Sequence, residues 1–346
     1  MYKSSSSFSP AQRNVAIQRL TALWAFTESG LGGVMHALQA PFTGLIVGGM
    51  AILLITLIAF FSAGEYRRIL QSMVIVLIVK AMVSPHTPFP AYIAVSFQGL
   101  LGYGLFRLIG INLFSIIILA VISMLESAVQ KLLILTLFFG QSFWKAADEL
   151  SNFITTQLGV ANINGSNWII GIYLAIYLVG GLLVSWMAHR TIRGIFSEAE
   201  FFRPELSASP VIVNSAKKKT RLWFFIILFM TLSLVLFFFA PDSHNGWFDV
   251  LKAVCWTAAA ILLWYGVISP LFTSLIKKLL KQKEGRYSEE INTTLSFLPE
   301  LKQYAVMAWQ HSRKYSGWQR LKFFWSAMVQ WSLTGLSIEP ASNKPA

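Results

Sequence analysis

The sequence predicts an all-α fold, a polytopic transmembrane helical bundle of about eight spans that ends in amphipathic cytoplasmic C-terminal helices. Of its 346 residues, 55% are hydrophobic and only 12% are charged, and the mean hydropathy is +0.60. Ordinary soluble domains do not combine these values. About 20 consecutive apolar residues cross the hydrocarbon core of a bilayer, so each apolar stretch of about that length predicts a transmembrane helix.

The chain divides into five predicted regions. A cytoplasmic N-terminus covers 1–19, and a six-helix membrane domain covers 20–190. A basic cytoplasmic linker that contains prolines and three consecutive lysines follows at 191–221, before two transmembrane helices at 222–276. The predicted spans are 20–39, 42–62, 69–84, 91–109, 112–138, 167–188, 222–240 and 250–276. Residues 277–346 form a basic, Trp-rich cytoplasmic tail.

The distribution of charge indicates the topology. The formal net charge is +13, and eight spans place both termini on one side of the membrane. All but four of the 28 Lys and Arg residues lie on that side or at its interface, the exceptions being Lys80, Lys131, Lys145 and Lys252. The positive-inside rule makes this side cytoplasmic. We therefore expect a multi-pass protein of the inner (plasma) membrane, with both termini cytoplasmic, membrane lipids around it and no nucleic-acid partner.

The first predicted span carries small residues and ionisable residues together. Ala25, Ser29 and Gly33 recur at every fourth position, the spacing that lets two membrane helices approach closely. His36 falls on the same helical face, whereas Glu28 lies at its edge. Ionisable groups at membrane depth usually face a bundle interior or a cavity. The small residues are therefore predicted to form a packing interface, and Glu28 and His36 are candidate substrate-binding residues.

Two further spans carry buried polar candidates. Glu126 lies near the centre of the fifth span, and Ser123, Ser127 and Gln130 flank it on one helical face. Gln98 lies in the middle of the fourth span, where it needs a hydrogen-bonding partner. Glu126 and Gln98 complete the predicted binding set, although a carboxyl group that only ties helices together is the alternative for Glu126.

The second span contributes glycines, and the third contributes a lysine. Gly44 and Gly48 have the Gly-x-x-x-Gly spacing of a helix-packing interface. Lys80 lies near the outer end of its span, where we expect its side chain to extend toward the outer interface rather than pair with Glu126.

The sequence lacks the motifs of soluble catalytic sites. It contains no G-x-x-x-x-G-K-[ST], G-x-G-x-x-G, H-E-x-x-H or G-x-S-x-G, so we expect no nucleotide hydrolysis by this chain itself. Cys255 is the single cysteine, and two imidazoles, His36 and His86, are too few for a metal site. No catalytic residue, cofactor or metal is predicted, and a role other than enzyme is favoured.

The tail alternates basic residues with large aromatics, including Trp309, Trp325 and Trp331. This composition favours the headgroup region of an anionic leaflet, with docking of a cytoplasmic partner as the alternative. Whether 306–336 contains a further span stays open. Its internal charges argue against a crossing before about residue 323.

Residues 20–190 resemble the substrate-binding S components of energy-coupling factor vitamin transporters. The resemblance rests on six compact spans and on the small-residue face of Ala25, Ser29 and Gly33 in the first span. It implies that this face packs against a transmembrane coupling subunit, that a cytoplasmic ATPase drives uptake and that substrate lies near the outer surface. The chain departs from the family pattern in its two additional spans and basic tail.

These observations favour binding or uptake of a small molecule, with a separate ATPase partner. One alternative is a non-catalytic scaffold or assembly subunit of a membrane complex, in which the small-residue faces bind partner helices. Another alternative is an enzyme that acts on a lipid-linked substrate. The polar residues of such an enzyme are scattered among its helices.

Overall fold

The computed structural model describes residues 8–32, 42–84, 87–157, 165–194, 254, 256–261 and 263–333. The structure is 93% helix and has no strand in this described part, which confirms the all-α prediction. Among the described residues, five helical stretches are long and apolar enough to cross a membrane: Thr43–Phe61, Phe89–Ile109, Leu113–Gln157, Gly165–Arg193 and Trp256–Ser312. The count of about eight stays a prediction, since the predicted span 222–240 lies outside the described residues.

Helix α1 (Pro10–Phe26) begins ten residues before the first predicted span. A capping box starts it: the Gln12 backbone N–H donates to Ser9 Oγ, and the Ser9 N–H donates to Gln12 Oε1. Pro10 occupies the first turn, where its missing N–H costs nothing. These local signals extend the helix through a polar segment that hydropathy alone excludes. The helix continues into a π-helical turn, Thr27–Leu31.

Three helices follow in the first half of the chain: α2 (Thr43–Phe61), α3 (Arg67–Val83) and α4 (Phe89–Ile109). Helix α2 is apolar on all sides and is the most buried of the candidate membrane spans, as expected for a helix surrounded by others. Helix α4 ends at Gly110, whose φ of +67° favours glycine.

Two long helices come next, α5 (Leu113–Gln157) and α6 (Gly165–Gly194). Gly140 breaks α5 with a φ of 65° and a ψ of −160°. The break falls two residues after the end of the predicted fifth span, 112–138. Beyond Gly140, the Asp148 carboxylate accepts a hydrogen bond of 2.7 Å from the backbone N–H of Ser166, which connects α5 to the first turn of α6.

The C-terminal part contains a π-helical turn (Trp264–Ile268) and then α7 (Ser269–Glu284), α8 (Ser288–Ser312) and α9 (Gly317–Leu333). Helices α8 and α9 pack against each other, and both pack against α1. Trp325 and Trp331 are only 3% and 6% exposed. Helix α9 therefore buries these two rings inside the protein, whereas Trp309 on α8 is 51% exposed. The placement of the tail at a membrane surface or a partner stays a prediction.

The chain forms two compact units, one of residues 1–127, 177–209 and 273–346 and one of 128–176 and 210–272. In the first unit, α1 packs against α2, α3, α8 and α9, and α4 packs against α2 and α3. Helix α2 also approaches α9 at Gly49. A methyl group added at this glycine would lie only 2.8 Å from the Trp325 ring. All predicted site residues within the described part belong to this first unit.

Candidate functional site

Glu28 lies on the π-helical turn that follows α1. This turn, Thr27–Leu31, packs against α2 and α3. The Thr27 hydroxyl donates to the Leu23 carbonyl, and the Ser29 hydroxyl donates to the Ala25 carbonyl, so side chains supplement the backbone bonds at the turn. π-Helical turns are rare and occur frequently at functional sites. Glu28 itself is buried, with 7% of its surface exposed.

The partner of Glu28 is Lys80 on α3. The Lys80 ammonium lies 2.6 Å from Glu28 Oε2 and 5.9 Å from the centre of the Tyr92 ring on α4. Lys80 is only 2% exposed, so the expectation that it extends toward the outer interface was wrong. A buried carboxylate satisfies the ammonium instead, because an unpaired buried charge is far more costly. This ion pair joins the end of α1 to α3.

A second polar group gathers beside the glycines of α2. A methyl group at Gly48 would lie 3.2 Å from Gln98 Nε2 on α4 and 4.0 Å from Ser127 Oγ on α5. A methyl group at Gly44 would lie 3.6 Å from the Tyr177 hydroxyl on α6. The two glycines therefore leave space in which polar side chains of three other helices approach the α2 backbone.

Five polar atoms on α4 and α5 are buried without a hydrogen-bonding partner among the described residues: Tyr92 Oη, Gln98 Oε1, Ser123 Oγ, Glu126 Oε2 and Asn152 Oδ1. Tyr92 lies in the first turn of α4 and Asn152 beyond the break at Gly140, whereas the other three lie further inside the predicted spans. Gln98 is 2% exposed, and Ser123 is fully buried. An unsatisfied buried polar atom costs about 1–3 kcal/mol, so three such atoms on neighbouring segments require an explanation. Gln98 and Glu126 were both predicted to be site residues, whereas Ser123 was only a flanking residue.

The structure separates the sequence-predicted residues into two groups. Glu28 belongs with Lys80, and no hydrogen bond in the described part joins it to Gln98 or Glu126. Ala25 and Ser29 are buried by the chain itself. His36 and Gly33 lie outside the described residues.

Sequence reasoning missed the pairing of Glu28 with Lys80. A usable signal was present, because the first and third predicted spans run in the same direction. Glu28 lies eight residues into its span and Lys80 eleven, a difference of about 4.5 Å in depth at 1.5 Å per residue. Opposite charges at similar depth in neighbouring helices are natural partners.

The described residues contain no group of three His, Cys, Asp or Glu side chains arranged to hold a metal ion. Comparison of the chain with protein-family models, with curated proteins and with solved structures gives no match.

Proposed function

We propose that this protein is an integral membrane protein that binds or takes up a small polar molecule between α2, α4 and α5. The observation that carries the proposal is the set of unpartnered buried atoms, Gln98 Oε1, Ser123 Oγ and Glu126 Oε2. In a membrane interior no bulk water replaces a missing hydrogen bond. A bound polar molecule supplies the missing partners.

The chemistry of the three atoms defines the ligand class. The Gln98 amide oxygen only accepts hydrogen bonds, a Glu126 carboxylate also accepts, and the Ser123 hydroxyl donates or accepts. A ligand that satisfies them carries several N–H or O–H donors. An amine or a polyhydroxylated molecule has that character, and an amine also compensates the charge of Glu126.

The α2 glycines support the same location. A methyl group at Gly48 would lie closer to Gln98 Nε2 than most side-chain contacts allow, at 3.2 Å. A side chain there would displace the amide and fill the space beside it. Glu28 has a different role in this proposal: its carboxylate pairs with Lys80 and fixes the neighbouring turn of the bundle.

The membrane setting belongs to the proposal as well. In the part of the chain that the structure describes, five helical stretches have the length and hydropathy for spanning. The distribution of basic side chains favours cytoplasmic termini in an inner membrane. Uptake against a gradient requires an energy source, and the chain has no nucleotide-binding motif. We therefore assign energy coupling to a separate ATPase, reached through a transmembrane coupling subunit. Ala25 and Ser29 are covered within this chain, so the coupling subunit needs another contact surface.

Retention of small molecules by the purified protein tests the proposal. Protein in detergent is incubated with pooled polar metabolites, freed of unbound molecules and examined by mass spectrometry for what it retains. Wild type is compared with Gln98→Leu and with Gln141→Leu, which makes the same change at an exposed glutamine of α5. We expect saturable retention of one donor-rich compound by wild type and Gln141→Leu, and at least about a tenfold loss in Gln98→Leu.

Two other outcomes would reject the binding function. If folded wild-type protein retains no compound saturably, the binding function is rejected, and a scaffold subunit that holds partner helices becomes the better description. If the retained compound is a lipid-linked molecule that leaves chemically changed, the protein is an enzyme instead. Co-purification of an ATPase from native membranes checks the partner independently of the ligand.

A further inference from the structure

A polar cavity lies at the beginning of α3, at the end of that helix opposite Lys80. Its volume is about 650 Å³, and three arginines line it: Arg67 and Arg68 from the first turn of α3, and Arg107 from the last turn of α4. Glu65, from the preceding turn, and Glu290, from the first turn of α8, are its two carboxylates. The proposed small-molecule site uses none of these residues.

The arginines of this cavity are not fully neutralised by its glutamates. Arg68 lies 3.3 Å from Glu65, in an exposed pair of low expected strength. Arg67 forms no ion pair in the part of the chain that the structure describes. The Arg107 guanidinium donates to the Tyr103 hydroxyl and contacts its ring, which leaves further N–H donors free. Three arginines against two glutamates give the cavity a net charge of +1.

The position of the cavity corresponds to the headgroup level of a membrane. Arg107 lies two residues before the end of the candidate span Phe89–Ile109. Tyr66 and Tyr103 also line the cavity, and tyrosines are enriched at membrane–water interfaces. Burial raises the pKa of the Tyr66 hydroxyl above its ordinary value, so at neutral pH this group stays uncharged and adds no repulsion toward an anion.

A smaller cavity of about 160 Å³ adjoins the first and shares Arg68, Gln71 and Glu290 with it. It extends between α1, α3 and α8 and is lined there by neutral polar side chains, including Asn14 and Gln18. The two cavities together offer cations for an anionic group and neutral hydrogen-bonding partners for hydroxyl groups attached to it.

We propose that the arginines of this cavity bind a phosphate group, carried by the headgroup of an anionic phospholipid or by a free phosphate compound. Guanidinium groups match phosphate oxygens with paired, charge-assisted hydrogen bonds. Basic pockets beside transmembrane helices on the cytoplasmic side bind such headgroups. Among the described residues, Glu65 pairs with Arg68 alone.

Lipid retention by the full-length protein tests this site. The purified protein is titrated with short-chain phosphatidylglycerol, phosphatidylcholine or inorganic phosphate and examined by native mass spectrometry and by thermal unfolding. The test variant is Arg67→Gln with Arg107→Gln, which removes two exposed charges and is expected to fold normally. The control variant, Arg313→Gln with Lys314→Gln, removes two exposed charges after α8.

Wild type and control are expected to retain phosphatidylglycerol at least about tenfold more strongly than the test variant, with little retention of phosphatidylcholine. If phosphatidylglycerol is not retained but phosphate raises the unfolding temperature of wild type and control alone, the ligand is a soluble phosphate compound and the site stands. Equal behaviour of the test variant and wild type toward both anions overturns the proposal. Equal retention of phosphatidylcholine and phosphatidylglycerol by wild type also overturns it.

Discussion

At the scale of single residues, the first unit contains two kinds of buried polar group. Glu28 and Lys80 satisfy each other at 2.6 Å, whereas Ser123 and Gln98 each have an atom without a partner in the described part. A satisfied pair stabilises only as long as both members are present. An unsatisfied group destabilises the empty protein and becomes favourable only when something binds it.

Removal of one member of the buried ion pair should be costly. We expect Lys80→Met to lower the free energy of unfolding by about 3–5 kcal/mol, because Glu28 is left charged and buried. Combining it with Glu28→Gln should recover at least about 1 kcal/mol of the summed loss. Denaturant titration of the four proteins in mixed micelles measures this coupling.

The exposed pair Arg68–Glu65 provides the control for that cycle. Arg68→Met with Glu65→Gln should change the free energy of unfolding by less than about 1 kcal/mol. A Lys80→Met variant as stable as wild type would show that the buried pair is not formed.

The stability of Ser123→Ala tests whether the buried Ser123 hydroxyl lacks a hydrogen-bonding partner in the folded protein. Without ligand, we expect the variant to be as stable as wild type or up to about 1 kcal/mol more stable, because it removes an unpartnered buried hydroxyl. Ser62→Ala should lower stability by about 0.5–1.5 kcal/mol, since the buried Ser62 hydroxyl donates to the Ile58 carbonyl. Equal losses of stability in the two variants would mean that Ser123 has a partner, and thermal unfolding in detergent distinguishes the cases.

At the scale of helices, small residues determine how closely the elements approach. On α6, a methyl group at Gly181 would lie 3.0 Å from the Val121 Cα and 3.2 Å from the Ala120 carbonyl oxygen on α5. Backbone atoms cannot rotate away as a side chain does. Gly171, on the same helix, would place its methyl group in open space.

Alanine at these two glycines should act in opposite directions. Gly181→Ala is expected to lower the free energy of unfolding by about 1–3 kcal/mol, through overpacking against α5. Gly171→Ala should raise it by about 0.5–1 kcal/mol, since alanine is the better helix former. Thermal unfolding of both variants checks the prediction. If Gly181→Ala is as stable as wild type, α5 and α6 lie farther apart than in the structure.

At the scale of the whole molecule, the C-terminal helices complete the first unit. Arg19 on α1 donates to the Ser332 carbonyl of α9 at 3.3 Å and lies over the Phe297 ring of α8. Trp325 contacts α2 at Gly49. The two terminal helices therefore cover α1, of which only residues 20–26 belong to the first predicted span.

Truncation of Trp325 tests this arrangement. Trp325→Ala should lower the free energy of unfolding by about 3–5 kcal/mol and expose α9 to limited proteolysis, because a fully packed indole is lost. Trp309→Ala, at a ring that is 51% exposed, should cost less than about 1.5 kcal/mol. Similar protease resistance of Trp325→Ala and wild type would contradict the packing of α9 against α2.

The predictable parts of the molecule were those encoded by local patterns. Continuous apolar runs predicted the helices, and the depth of Gln98 and Glu126 predicted buried polar positions. The start of α1 at Pro10 escaped hydropathy because it depends on a capping box. The burial of Trp325 and the pairing of Lys80 with Glu28 depend on contacts between distant segments, which periodicity does not encode.

The proposed binding of a small polar molecule between α2, α4 and α5 can be checked in a high-resolution structure of the protein in a lipid bilayer. We predict non-protein density within hydrogen-bonding distance of Gln98 Oε1, Ser123 Oγ and Glu126 Oε2, shaped as an organic molecule and lost in Gln98→Leu. Hydrogen bonds from all three atoms to protein groups or to isolated waters, with no such density, would contradict it.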